Sequence, residues 1–299
     1  LQKYTKGIKF GENIKKIMEK IFVTGATGTI GKEVVNALLK KGVKVVAANR
    51  SQEKAKGLFG DKVEWVNFDF EDPNTYKTAD DAAAVFLLGP PLNLRLSEML
   101  MPFVDYLSVK GPSKVVYLSA NGMEKMKELP FHAQMEAKLK STTLEWTILR
   151  PGFFMQNFGN YEMENIEERK IIFSPAGEGK TAFISAVDIG QAAAEVLINE
   201  GHEEKTYTLL GDRLLSYYEI AALLSEIIGE KIIYPNPDEN TYRSVLKESG
   251  APDFIADYMI PVYNLIRFGK VENVSNDLQN LIGRKPEELK DVLKRDFGS

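Results

Sequence analysis

The stretch Ile21-Phe22-Val23-Thr24-Gly25-Ala26-Thr27-Gly28-Thr29-Ile30-Gly31 reads as a buried strand, a glycine turn and the opening of a helix. Ile30, Val34, Val35, Leu38 and Leu39 then recur at helical spacing as far as Lys41-Gly42, and a second apolar run, residues 43–48, begins directly beyond. In such a unit Gly25 turns the chain as the strand ends, Gly28 leaves room for a pyrophosphate to approach the backbone, and Gly31 lets the helix pack closely on the sheet. Free N–H groups and the positive end of the helix dipole complete an anion site. Strand, turn, amphipathic helix and second strand together predict dinucleotide binding. No Lys-Ser or Lys-Thr follows Gly31, so the phosphate-hydrolysing P-loop pattern is absent.

The second strand closes on Ala48-Asn49-Arg50-Ser51. An acidic residue there would bond the ribose hydroxyls of NAD and repel an added phosphate, whereas Arg50 and Ser51 offer a cation and a hydroxyl, which favours NADP(H) over NAD(H). A solvated arginine after a strand is the plainer alternative. Residues 63–68 predict a third strand with Asp69 at its end, placed either to meet an adenine amino group or simply to cap the loop. Residues 82–88 predict a fully buried fourth strand ended by Gly89-Pro90-Pro91; Gly89 either admits the cofactor ribose or phosphate to the backbone or only terminates the strand.

A fifth strand over 114–119 and a sixth over 144–150, with helices over 97–110 and 130–141, continue the alternation. That pattern predicts an α/β fold, a Rossmann-type doubly wound, mostly parallel sheet with helices on both faces and a smaller C-terminal substrate lobe. Residues 18–155 then form the NAD(P)-binding core, and 156–299 a mixed region that completes the core and forms the lobe. Residues 1–17 read as a leader: an appended extension or upstream translated sequence before Met18, or else a short helix from Asn13. Within the second region, 187–199 predicts a helix, 205–210 a strand, and 231–234 a last strand. Ser216 and Glu219 form a capping box that opens another helix, and two short helices fall within 275–281 and 286–297. Tyr242, Phe254, Tyr258, Tyr263 and Phe268 are expected to face the substrate cleft or the larger domain.

Composition narrows the function classes. The 38 basic and 42 acidic residues balance to a mildly acidic chain with no basic block, which argues against an obligate nucleic-acid partner. The absence of cysteine excludes disulfides, thiolate catalysis and cysteine-ligated metal. Its two histidines, His132 and His202, lie far apart, and no metal-binding motif is present, so no metal site is expected. No run approaches the roughly 18 to 20 apolar residues that span a bilayer, so no membrane partner and a cytoplasmic location are expected. Assembly into a homo-oligomer is left open.

Open α/β sheets bind ligands beyond the carboxyl ends of their strands. Ordinary short-chain dehydrogenases carry a serine after the fifth strand and Tyr-x-x-x-Lys on the next helix. Here the serine is Ser119, but the helical pair is His132 and Glu136, four residues apart on one helix face. His132 titrates near neutrality in its ordinary state and is a candidate proton donor oriented by Glu136; the alternative makes His132 a helix-start residue and Glu136 a solvated one. Without the Tyr-Lys pair, reduction of an electrophilic quinone, azo compound, enone or imine by hydride placement is favoured over reversible alcohol oxidation. After the sixth strand, Arg150-Pro151-Gly152-Phe153-Phe154-Met155-Gln156-Asn157 reads as the wall of a nicotinamide and substrate cavity or as a hydrophobic hinge, with Phe153 and Phe154 as apolar lining and Asn157 as a polar contact.

Taken together, the glycine stretch, Asn49-Arg50, Val116-Tyr117-Leu118-Ser119, His132-x-x-x-Glu136, the 149–157 segment, Phe183-Ile184-Ser185-Ala186-Val187-Asp188-Ile189 and Ile282-Gly283-Arg284-Lys285-Pro286 resemble the NmrA-like family of atypical short-chain dehydrogenases. The resemblance runs over nearly all of the chain from Met18, and within the family points to the branch of quinone reductases, azo-dye reductases and ergot-alkaloid iminium reductases. It implies an NADP-binding domain with a substrate lobe, in which Gly25, Thr27, Gly28, Thr29, Ile30, Arg50 and Ser51 match the cofactor-binding stretch. It transfers the chemistry less firmly, because relatives differ at the proton-donor position. It also implies an alternative, a catalytically inactive NADP-binding protein that reports redox state to a partner.

Overall fold

The computed structural model describes residues 19–298, so the expectations for residues 1–17 and the Met18 start fall outside the described residues. Strands β1 (Lys20–Thr24), β2 (Lys44–Asn49), β3 (Glu64–Asn67), β4 (Ala82–Leu87), β5 (Lys114–Leu118), β6 (Glu145–Pro151) and β8 (Lys205–Leu209) form one seven-stranded sheet in the order β3-β2-β1-β4-β5-β6-β8. Every pairing in it is parallel, with Val23 opposite both Ala47 and Phe86. The chain winds outward from β1 to β3 and then returns to β4 on the other side. The carboxyl ends of β1 and β4 therefore flank the crevice where such sheets receive ligands.

Strand residues alternate between two apolar layers, as a pleat of period two requires. Phe22, Val46, Val85, Leu87, Val115 and Tyr117 enter the layer shared with α3 (Leu96–Lys110) and α4 (Phe131–Lys140). Ile21, Val23, Val45, Ala47, Phe86, Val116 and Leu118 enter the opposite layer, under α1 (Thr29–Lys40) and α7 (Ala186–Ile198). On that second face α1 and α7 approach backbone to backbone, since a Cβ on Gly190 would stand 2.5 Å from the Glu33 carbonyl oxygen. The core thus draws α7 and β8 from beyond residue 156, and the sheet is covered on both faces as the sequence predicts.

Helix α2 (Gln52–Phe59) follows β2, and α5 (Asn157–Tyr161) and α6 (Met163–Glu167) follow β6. The smaller lobe is built from α8 (Tyr217–Ile228), α9 (Glu239–Glu248) and α10 (Asp253–Arg267), with α11 (Asp277–Ile282) returning to α7 and β8 of the main body and α12 (Leu289–Phe297) packing on α8 and α5. Ser216 and Glu219 make the expected reciprocal capping box at the start of α8. A short ribbon pairs β7 (Lys180–Ala182) antiparallel with β9 (Leu214–Ser216), a strand too brief to carry a pattern in the sequence.

One expectation for the lobe needs correction. Residues 231–234 form no strand: the Ser225 hydroxyl binds the Ile232 amide at 2.8 Å, and only a single bridge joins Ile233 to Ile171. Of the five aromatics expected to face the cleft or the larger domain, Tyr242 is buried, Tyr258 and Tyr263 are half-buried, and Phe254 and Phe268 are 42% and 64% exposed. No helix among the described residues is long and apolar enough to cross a membrane.

Candidate functional site

The nucleotide half of the site is made mostly of backbone. Gly25 turns with φ +62°, a conformation costly for side-chain-bearing residues, and its carbonyl accepts the Gly28 amide at 3.0 Å. A Cβ on Gly31 would lie 2.1 Å from that same carbonyl oxygen, so this turn and the first turn of α1 exclude any other residue there. At Gly28 an added Cβ would meet only the Gly25 oxygen, at 3.4 Å, and the space above it is open. Helix α1 begins with no side-chain cap and no acidic residue in its first turn, leaving its end free for an anion. Thr27 is half-buried and Thr29 exposed, whereas Ile30 points into the core and can serve an anion only through its backbone. Beneath the turn, the buried Thr24 hydroxyl accepts the Leu88 amide at 2.8 Å and fastens the end of β1 to the end of β4.

The end of β2 offers a second set of donors. Arg50 is exposed and makes no hydrogen bond or ion pair among the described residues. The Ser51 hydroxyl caps α2 by accepting the Lys54 amide at 3.3 Å, and its own hydrogen stays available. Asn49 accepts the Trp65 indole N–H at 2.7 Å, and its Nδ2 is buried without a partner. An orphaned amide beside a free guanidinium and a hydroxyl suits a phosphorylated ribose. Sequence reasoning did not single out the Asn49 side chain; the signal for it was a polar residue ending an otherwise apolar strand. Asp69 lies half-buried at the end of β3, where its Oδ1 accepts the Glu71 amide at 3.0 Å, the loop-capping role; its second oxygen accepts no hydrogen bond among the described residues.

The three candidate catalytic residues gather on α4 and the end of β5, but they engage one another differently from the expected pair. The buried Glu136 carboxylate accepts the Ser119 hydroxyl at 2.8 Å and Arg150 Nε at 2.9 Å, with Arg150 Nη2 on its other oxygen and Lys140 Nζ at 3.5 Å. Burial acts to raise its pKa, yet the hydrogen bonds from Arg150 and Ser119 and the charges of Arg150 and Lys140 outweigh it and hold the group below the usual carboxylate range. Arg150 also reaches Glu124 at 3.4 Å. Glu136 is therefore not a solvated residue, nor does it orient His132.

His132 pairs instead with Tyr117, whose hydroxyl lies 2.8 Å from its Nδ1. Burial, with Glu136 and Tyr258 nearby, pushes the Tyr117 phenol well above its ordinary value, so it keeps its proton at pH 7. Burial lowers the His132 pKa to about 4, only partly opposed by the Glu136 charge. The imidazole is neutral at pH 7, which corrects the expectation of titration near neutrality. Ser119 is likewise committed as a donor to Glu136. The sequence identified the trio; Tyr117, Arg150 and Glu124 act on it from other elements and carried no pattern that would have joined them to it.

Beyond β6 the chain splits its aromatics between the two layers. Phe153 packs toward the lobe, 6.3 Å from the Tyr263 ring and nearly parallel to it, whereas Phe154 packs against the opposite layer and bridges to Ile184. Only Phe153 of the two joins the lobe aromatics. Pro151 is buried, and its carbonyl accepts the Asn121 amide at 2.9 Å. Asn157 is half-buried at the start of α5, its side chain making no hydrogen bond among the described residues. One helical turn on, Asn160 donates to the Thr29 hydroxyl at 3.2 Å and ties α5 to the nucleotide helix. At Gly89 a Cβ would meet only leucine side-chain atoms, the nearest a Leu96 methyl at 2.3 Å, and no backbone.

Relatives match this chain along almost their whole length. The chain is 27% identical to prestalk A differentiation protein A of Dictyostelium discoideum over 291 residues, 96% of this chain and 95% of that protein. The structure of the NADPH-dependent quinone oxidoreductase of Escherichia coli in complex with NADPH superposes with a TM-score of 0.85 at 25% identity, covering 93% of this chain and 100% of that one. The triphenylmethane reductase of Citrobacter sp. complexed with NADP(H) gives 0.83 at 27% identity, covering 93% and 99%. The NmrA-like family model matches residues 18–296, and the chain belongs to the NmrA-like family.

Proposed function

We propose that this protein is an NAD(P)H-dependent oxidoreductase of small organic molecules, with NADPH the preferred reductant and a conjugated electrophile such as a quinone or a cationic dye the acceptor. The cradle at Gly28, the uncapped start of α1, the unpaired Asn49 Nδ2 and the exposed Arg50 fit the cofactor's phosphates. Both solved relatives described above carry NADP(H), and one is a quinone oxidoreductase and the other a triphenylmethane reductase. A bound NADPH supplies hydride.

The observation that carries the choice of acceptor is the inward commitment of the trio. Glu136 is a paired carboxylate, Ser119 donates to it, and His132 is a neutral ring buried against Tyr117. None of them is an acid ready at pH 7. Acceptors that need no enzyme acid are the ones such a site serves: a dye cation takes hydride alone, and a quinone becomes an aromatic hydroquinone anion that water protonates. The residues contribute placement and a dry apolar wall, with Phe153 and the half-buried Tyr258 and Tyr263 at its lobe side.

NADPH oxidation at fixed pH against a quinone, an azo dye, an enone, a cyclic imine and a triarylmethane dye tests the reading, with His132→Gln in parallel. Turnover of the quinone and the cationic dye is expected, and His132→Gln should keep kcat within about threefold, well short of the 100-fold or more that losing a general acid costs. A loss of that size in a folded variant would restore His132 as the acid. Tight NADPH binding with no turnover of any acceptor would favour the redox-reporting alternative.

A further inference from the structure

The loop between β4 and α3 borders, with the start of α10, a shallow cavity of about 360 Å³ that is open to solvent. Pro90, Pro91, Leu92, Leu94 and Arg95 form one wall and Phe254 the other. Leu94 and Phe254 face it from opposite elements, 43% and 42% exposed. Uncovered apolar side chains on two sides of a concavity are what a ligand pocket shows and what a mere surface loop avoids.

The loop wall is preformed. Two successive prolines fix their own φ angles, Leu92 is held at φ +55°, and Asn93 braces the turn by accepting the Arg95 amide at 2.8 Å and setting its amide 3.6 Å from the Met99 sulfur. A leucine in the left-handed region is uncommon. Position connects the cavity to the chemistry. Its loop leaves the carboxyl end of β4, the strand that Thr24 fastens to the glycine turn. Across the cavity, Phe254 and Tyr258 are four residues apart on one face of α10, and Tyr258 stacks 5.8 Å from Phe131, which in turn adjoins the His132 ring at 4.9 Å. Ring contacts thus link the helix that carries Phe254 to the trio.

We infer that this cavity is a subsite for an aryl ring that the substrate carries beyond its reducible group, so that it selects multi-ring acceptors over single-ring ones. The inference rests on the reductase reading and names the part of the substrate that the loop and Phe254 recognise. Proline faces, leucine methyls and a phenylalanine ring favour a flat apolar group, and Arg95, already paired with Glu98 at 2.7 Å, brings no unsatisfied charge toward it.

The test compares 1,4-benzoquinone with phenyl-1,4-benzoquinone in the parent protein, Phe254→Ala and Leu94→Ala; with no cysteine in the chain, thiol alkylation by the quinones does not intrude. Each variant should lose about tenfold in kcat/KM for the phenyl compound and leave 1,4-benzoquinone within twofold, since one exposed side chain per wall is removed and the reacting end is untouched. Equal losses for both quinones, or none, would overturn the subsite. Equilibrium binding of the same two quinones to the NADP⁺ complex separates this from the reductase reading. If the parent binds the quinones but reduces neither, the reductase reading fails, while about tenfold weaker binding of the phenyl compound alone by Phe254→Ala would still support the subsite; unchanged binding would reject it.

Discussion

The nucleotide half and the α4 half of the site are built by different physics. At the glycine turn the determinants are contiguous in the chain, and the atoms that matter belong to the backbone: the Gly25 carbonyl, the open space at Gly28, the free start of α1. Around Glu136 the determinants come from β5, β6, α4 and the 3₁₀ turn at Met123–Lys125, and the atoms that matter are side-chain charges and hydroxyls taken out of water. The first half is stabilised by conformation and leaves its donors unpaired. The second is stabilised by pairing and spends its donors on itself.

That contrast is broken or sharpened first by Arg150. Arg150→Met removes the fork that neutralises Glu136 and strands a buried carboxylate, and should cost about 3–5 kcal/mol in urea unfolding. Glu136→Gln with Arg150→Met should recover much of it, because the charge that needed a partner is gone. Both proteins, where folded, should bind NADPH with affinity close to the parent's by fluorescence titration. A fold indifferent to Arg150→Met, or an NADPH affinity that falls in step with stability, would mean that the two halves are not built separately.

The same difference explains what the sequence disclosed. The strand-turn-helix unit, the alternating layers and the Ser216–Glu219 capping box are local, and each follows from spacing within about ten residues. His132 and Glu136 were visible as a pair at helical spacing, but the spacing says only that they share a face. It does not say that Tyr117, fifteen positions earlier on a strand, takes one of them and Arg150, fourteen later, takes the other. The loss of the expected 231–234 strand to the Ser225 hydroxyl has the same origin: an apolar run proposes a strand, and a side chain from a neighbouring helix takes its amide. The split of Phe153 and Phe154 between layers follows from period two, and was legible had β6 been extended through them.

Acid should expose the α4 half next. The unfolded chain protonates a histidine near its ordinary 6.5, whereas folded His132 resists until about pH 4, so the stability that its neutrality represents is complete above 6.5 and drains away as pH falls toward 4. Glu136, held low by its partners, acts in the same sense at lower pH, its contribution being lost as pH falls through its depressed folded value. Between pH 7 and pH 5 the His132 share is about 2 kcal/mol. Urea unfolding at the two pH values should therefore show a drop that His132→Gln reduces by about that amount, whatever the variant's stability at pH 7. An equal drop in both proteins would show that His132 takes up its proton as readily folded as unfolded.

The smallest effect belongs to the nucleotide half. Arg50 contributes nothing visible to the fold, so Arg50→Ala should leave unfolding within about 0.5 kcal/mol of the parent. It should nevertheless weaken NADPH by about tenfold and leave NADH nearly unchanged, because only the 2′-phosphate presents the charge that a guanidinium meets. Asn49→Ala should add to this on the same cofactor, at some cost to stability, since its Oδ1 also holds the Trp65 indole. Equal weakening of NADPH and NADH by Arg50→Ala would place the arginine on a part common to both cofactors and return the preference between them to the glycine turn. A tenfold selective loss with an undisturbed fold would mark Arg50 as a residue kept for its ligand alone, the reverse of Arg150.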